Sequence, residues 1–393
     1  MSLAIKNGMA FIGADFVVKD ILIENGIIVK IGMNLKGDET IDASNLLVLP
    51  GLIDPHVHLR EPGDTYKEDF TSGSRAAVAG GFTTVIDMPN NKVPTITAER
   101  LKEKEALAKK AVCDVLFHFG GTDNNFGEVK SADPRSLKLY LGETTGSLAL
   151  KNPDSLAKHF TNFPAERPVV LHASDHSPDE KTNLERTYAT MENALSLAQQ
   201  RRIHMAHASS EKEILIAKKY ARCTVEVAPH HLFLSNRNAE KLGFLSKVYP
   251  PLRSEQKRLK LWHALGNVDC IATDHAPHTI EDKEAGAAGF PGLETSLALM
   301  LDASAKGLVD RTWVVRAMSW NVAKAFNIEK KGKLETGYAG DVTIVDHRKS
   351  WKVVGSELET KCRWSPFDGM ELKGKAVTVV KNGKIIYEEG QFF

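Results

Sequence analysis

Apolar and polar positions divide this chain into β-rich ends and a long alternating middle. Residues 1 to about 50 hold short β-branched runs such as Phe16-Val17-Val18 and Ile27-Ile28-Val29, split by Asn25-Gly26. An Asn-Gly pair between such runs is a hairpin signal, because both residues tolerate the positive φ of a tight turn. The far end behaves alike: Asp341 to Val345 and Val377 to Val380 are β-like, and Lys381-Asn382-Gly383-Lys384 supplies another turn. Between the ends, β-like runs at 47–58, 82–90, 113–122, 136–142, 168–173, 202–208, 223–230 and 268–276 alternate with helical patterns, for instance Asn183 to Arg201 and Glu211 to Tyr220. Alternation of this kind predicts a parallel sheet, and eight units over about 250 residues fit a closed barrel. The reading is therefore α/β class: a (β/α)8 TIM-like barrel over 51–335, with a small discontinuous β-sandwich domain built from both termini, 1–50 and 336–393. An open doubly wound sheet is the alternative. Against it, no glycine-rich phosphate loop follows a strand, since Gly80-Gly81 precedes one. Residues 284–292, EAGAAGFPG, read as a mobile loop past the eighth strand.

Composition narrows the partner. With 51 basic and 50 acidic residues the net charge is +1, which argues against nucleic-acid or membrane-surface binding as the main role and favours a small-molecule substrate. No apolar run approaches the roughly 18 residues of a membrane span, and the start MSLAIKNGMAFIG lacks the regions of a secretory signal, so a cytoplasmic location is expected. Cys113, Cys223, Cys270 and Cys362 are scattered without a CxxC pair, which indicates neither a disulfide framework nor a thiolate zinc site.

The candidate chemistry starts at VLPGLIDPHVHLREPG, where an apolar run ends in ionisable and turn-forming residues. His56 and His58 share one side of an extended backbone, and Arg60 follows at the same parity. One such pair cannot complete a zinc site, and surface histidines at a strand end remain the plain alternative. Further candidates close later β-runs: His172 in VVLHA, His207 in IHMAHA, and Asp274, His275 and His278 in IATDHAPH. A barrel gathers its site at these carboxyl ends. Lys138, between Leu137 and Leu139, would be expensive to bury as an unpaired ammonium. It either pairs with an inward carboxylate such as Asp87 or Glu226, or is neutral and takes up carbon dioxide as a carbamate. A carbamate is a long carboxylate able to bridge two cations.

The blocks DPHVHLREPG, FTTVIDMPN, LKLYLGET, LHA, MAHAS, EVAPHHLFL, YPPLR, IATDHAPH and GFPGLET, in this order, resemble the dihydroorotases of the metal-dependent amidohydrolase superfamily over nearly the whole chain. That resemblance implies two Zn2+ ions, one held by His56, His58 and Asp274 and the other by His172 and His207, bridged by N6-carboxylysine at Lys138. It implies a water made nucleophilic near neutral pH by zinc, with Asp274 carrying the proton. Arg60, Asn90 and His278 match the positions that grip the substrate carboxylate, and Thr144, in the GETTG segment, a donor to the oxyanion. Glu226 stands where some members place an additional metal ligand, with a structural salt bridge as the alternative. His275 reads as a core residue supporting the site. Tyr249 in VYPPLR departs from the Asn or Arg of the family. The resemblance implies reversible conversion of dihydroorotate and N-carbamoyl-L-aspartate in pyrimidine synthesis, and allows a homodimer. Rival readings are another cyclic-amide hydrolase, allantoinase or hydantoinase, and a catalytically silent scaffold homologue. Arg60 with Asn90 favours an acidic ring, and retention of these ligands speaks against silence.

Overall fold

The computed structural model describes residues 2–142 and 148–393. In its middle, Leu52–Val57, Phe82–Asp87 and Asp114–Phe117 pair in parallel, with Phe82–Asp87 central. A second, all-parallel sheet runs in chain order through Phe119–Gly120, Leu137–Tyr140, Val169–His172, Ile203–Met205, Cys223–Val227 and Cys270–Ile271. Only His118 separates the third strand of one sheet from the first of the other; its amide donates to the Asp87 carbonyl at 3.0 Å. At the opposite edges, Val57 forms a parallel bridge with His275. Strands coincide with all eight β-like runs.

Helices between the strands cover the outside. Several start on a side chain that accepts from an orphan first-turn amide, as with Asp69, Thr97, Asn152 and Asp179. The period-two rule then sorts the strands. Leu137, Leu139, Val169, Leu171, Ile203, Met205, Val225 and Val227 join the helices in one large apolar core. Lys138, His172, His204 and Glu226 alternate with them and take the other face. Because both faces are covered, these strands read as near-continuous apolar runs broken only by functional side chains.

The run 47–58 is not one strand. Leu47–Pro50 pairs antiparallel with Val342–Lys352 and parallel with Met9–Ile12, and only after Gly51 does Leu52–Val57 join the parallel strands. The resulting seven-stranded sheet combines both ends of the chain. A four-stranded sheet holds Ile27–Gly32, Asp20–Glu24, Ser2–Lys6 and Glu39–Asp42, and one apolar cluster draws Ile5, Ile21 and Ile23 from it and Val48, Ile344 and Val380 from the other. Both Asn-Gly pairs form hairpin turns with positive φ at each residue, 49° and 79° at Asn25-Gly26 and 48° and 74° at Asn382-Gly383. Residues 284–292 are tied down, with Gly289 donating to the Lys247 carbonyl at 3.0 Å and Ala276 to the Phe290 carbonyl at 2.8 Å.

Candidate active site

The inward residues and the loops after the strands meet in one cleft lined by His56, His58, Lys138, His172, His207 and Asp274. The Nδ1 of His56 lies 2.5 Å from Glu226 Oε1, and that of His58 2.9 Å from Asn90 Oδ1. Each partner atom only accepts, so each Nδ1 carries the hydrogen and each Nε2 keeps its lone pair. Both Nε2 atoms are 3.2 Å from the same Oδ1 of Asp274. Burial lowers the proton affinity of both rings, and the nearby Arg60 cation adds to the effect at His58, so they stay neutral. Burial also raises the Asp274 carboxyl, to about 6. Ligand atoms of His56, His58 and Asp274 lie within 4.8 Å of one another.

A second pair adjoins this triad. His172 Nδ1 is 2.7 Å from His207 Nε2, and the His207 ring centroid is 5.4 Å from that of His56. Burial holds His207 well below the usual imidazole range. Beside them Lys138 is 1% exposed, its Nζ makes no hydrogen bond among the described residues, and burial brings it down to about 8. Neither suggested carboxylate serves it. Asp87 contacts Lys104 at 2.6 Å. Glu226 accepts from His204 at 2.9 Å and from the His207 amide at 3.0 Å, besides His56. Burial alone would raise Glu226, but His56 and the His204 hydrogen bond outweigh it and keep the carboxyl well below its usual range. Neutral imidazoles with inward lone pairs and a carboxylate are a donor set suited to a divalent cation.

Arg60 is 7% exposed; its Nε donates to the Pro277 carbonyl at 3.0 Å and its Nη2 reaches His278 Nε2 at 3.0 Å. Burial, then Arg60, push His278 down to about 2, so the imidazole is neutral. Arg60 and Asn90 line the cleft; His278 stands behind Arg60. Thr144 falls outside the described residues. His275 is buried in the core, where its Nδ1 accepts from the Gly292 amide at 3.1 Å. Tyr249 also lines the cleft, stacked on His176 with centroids 3.7 Å apart and an interplanar angle of 8°. Sequence reasoning passed over His176 and Tyr140. The Tyr140 hydroxyl, on the cleft wall, is buried without a hydrogen-bond partner among the described residues. Its spacing of two from Lys138 on one strand was the signal that could have found it.

The sequence profile described as "Amidohydrolase family" matches residues 47–386. This chain belongs to the amidohydrolase family. Among its amidohydrolase relatives, the dihydroorotase of Pyrococcus abyssi is 40% identical over 383 residues, covering 94% of this chain and 91% of that protein. The dihydroorotase of Thermococcus kodakarensis is 38% identical over 393 residues, covering 98% and 94%. Among solved structures, the L-hydantoinase (dihydropyrimidinase) of Arthrobacter aurescens superposes with a TM-score of 0.94 at 27% identity, covering 100% of this chain and 97% of that one. Among the described residues no helix is long and apolar enough to cross a membrane.

Proposed function

We propose that this amidohydrolase is a dihydroorotase, interconverting dihydroorotate and N-carbamoyl-L-aspartate. The observation that carries the choice of an acidic ring is Arg60. Its guanidinium is buried, faces the cleft, and has no carboxylate within ion-pair distance among the described residues. A buried cation without a counter-ion is costly, and a substrate carboxylate meets that cost with charge-assisted hydrogen bonds. The hydantoinase likeness is a likeness of fold, and the dihydroorotases match at higher identity over a similar share of the chain.

In this reading His56, His58 and Asp274 would hold one zinc ion and His172 and His207 another, with Lys138 as carboxylysine completing the donor set. Bound there, such ions would supply Lewis-acid polarisation of the ring carbonyl and a water nucleophilic at neutral pH. Asp274 takes one proton of the attacking water and delivers it to the departing ring nitrogen, while the other is released to solvent as the product carboxylate forms. In the reverse direction it takes a proton from the attacking nitrogen and passes it to the departing carboxylate oxygen, which leaves as water with one further proton drawn from solution. Arg60 and Asn90 fix the substrate carboxylate, with His278 backing Arg60. Glu226 holds His56 in its Nδ1–H form. The parallel strands close as a (β/α)8 barrel over 51–335, and the segments 1–50 and 336–393 form a discontinuous β-sandwich.

The test is turnover by zinc-loaded protein in both directions, beside hydantoin and allantoin. Dihydroorotate is expected to be the preferred ring, with closure favoured at low pH because it consumes a proton. Asp274→Asn should keep most metal and lose about 10²-fold or more in rate. Faster turnover of a neutral ring would overturn the substrate assignment; near-normal D274N activity would overturn the role of Asp274.

A further inference from the structure

Outside the cleft, the helix Ala98–Leu107 is polar along most of its length, yet it sends one ammonium into the interior. Lys104 is 0% exposed. Its Nζ forms an ion pair with Asp87 Oδ2 at 2.6 Å and donates to the Met88 carbonyl at 2.9 Å and to Asn91 Oδ1 at 2.6 Å. The pair does not end there. The other Asp87 oxygen accepts from the Leu59 amide at 2.7 Å, and Asn91 Nδ2 donates to the Glu61 carbonyl at 3.0 Å.

The consequence is a double bracket. Lys104 grips the Met88 carbonyl, two residues before Asn90, and the side chain of Asn91, the residue after it. Asp87 and Asn91 grip Leu59 and Glu61, the two neighbours of Arg60. Arg60 needs such support, because its φ of 62° is a left-handed conformation that a residue with a side chain adopts at a cost. We infer that Lys104 is a positioning residue for substrate binding, fixing the backbone on both sides of Arg60 and Asn90 from outside the cleft. A buried ion pair adds little to net stability, but it does set geometry, since its partners tolerate few arrangements. The inference deepens the dihydroorotase reading and rests on Arg60 as carboxylate anchor.

The experiment compares purified, zinc-loaded Lys104→Met, Asn91→Ala, Arg60→Met and the K104M/R60M double variant, measuring KM and kcat for dihydroorotate together with zinc content. K104M should raise KM about tenfold while kcat stays within about threefold, the pattern of a lost binding contribution. Asn91→Ala breaks the last link and leaves the Asp87–Lys104 pair intact; it should raise KM in the same direction, and it keeps the test alive if K104M does not fold. In the R60M background K104M should add little further, because both act through one anchor. A folded K104M or N91A with unchanged KM overturns the inference, as does a KM effect that multiplies fully with that of R60M. If R60M itself leaves KM unchanged, the anchor reading fails instead; if R60M raises KM and the two bracket variants do not, only the role of Lys104 fails.

Discussion

Replacing Arg60 by methionine tests the substrate assignment most directly, because the side chain is buried, lines the cleft and has no carboxylate within ion-pair distance among the described residues. Methionine keeps most of the apolar stem and removes the charge and every donor. A hydrogen bond to a charged group contributes roughly 1.5–3 kcal/mol. At about 1.4 kcal/mol per decade, the weakening of dihydroorotate binding should lie between about 10- and 150-fold. Since the carboxylate is remote from the scissile amide, the contact is made in the ground state and the transition state alike, and the loss should appear in KM with little change in kcat. The substitution has a structural side as well. The Pro277 carbonyl, which accepts from Nε at 3.0 Å, loses its donor, and leaving a buried acceptor unmet costs about 1–3 kcal/mol of stability. Thermal denaturation of the variant measures that part separately. The kinetic assay follows initial rates of ring opening over a wide range of dihydroorotate, with Arg60→Lys alongside; lysine keeps the charge without the planar fork and should fall between wild type and R60M. A KM for R60M within about twofold of wild type, in a protein that melts as a folded unit, would refute the reasoning and remove the main ground for an acidic substrate.

Three further outcomes are expected. Lys138→Ala should lose most bound zinc and turnover, with partial recovery on adding a short carboxylic acid; full metal content and rate in the variant would exclude a bridging role. Tyr140→Phe removes a hydroxyl that has no hydrogen-bond partner among the described residues, so stability should hold or rise, while loss of a contact to the bound ligand should lower kcat/KM by about tenfold; unchanged kcat/KM would show that the hydroxyl is idle. Glu294 concerns stability. Burial raises its carboxyl to about 8 from an ordinary 4.5, against the opposing hydrogen bonds from the Glu359 and Thr360 amides. Between those values the unfolded chain has released the proton that the folded chain retains, so the linkage term is negative and stability from this group falls as pH rises. Melting temperatures of wild type should therefore drop relative to Glu294→Gln between about pH 5 and 8, and parallel curves would show that Glu294 does not titrate there.

What the sequence disclosed, and what it hid, follows from range. Strands covered on both faces must be apolar on both, so Lys138, His172 and Glu226 stood out as exceptions and their common face could be read by counting in twos. The break inside 47–58 could not be read that way, because Leu49 and Leu52 are equally apolar and join the same core, while their strands pair with different neighbours. The local mark of the change is Pro50-Gly51; at Gly51 a Cβ would come 2.3 Å from Thr83 Oγ1, a neighbour that lies a strand away. Lys104 was hidden for a similar reason. On a helix of charged residues a lysine reads as solvated, and nothing nearby in the chain says that Asp87 is already claimed when Lys138 is looking for a partner.

The backbone at the cleft shows why the residue types were legible but their aim was not. Arg60, His207 and Asp274 have φ of 62°, 35° and 48°, although none is glycine. A residue in this region turns the chain sharply as it leaves a strand, so its side chain departs from the strict in-and-out alternation that sequence parity assumes. Parity put Arg60 on the same side as His56 and His58. In the fold it reaches the cleft through a left-handed bend held at Leu59 and Glu61 by Asp87 and Asn91. Side chains that pay such a conformational penalty persist where surrounding contacts over-determine them. For Arg60 those contacts come from a buried ion pair on a neighbouring strand and helix, which makes the conformation of this proposed anchor a product of tertiary packing around it.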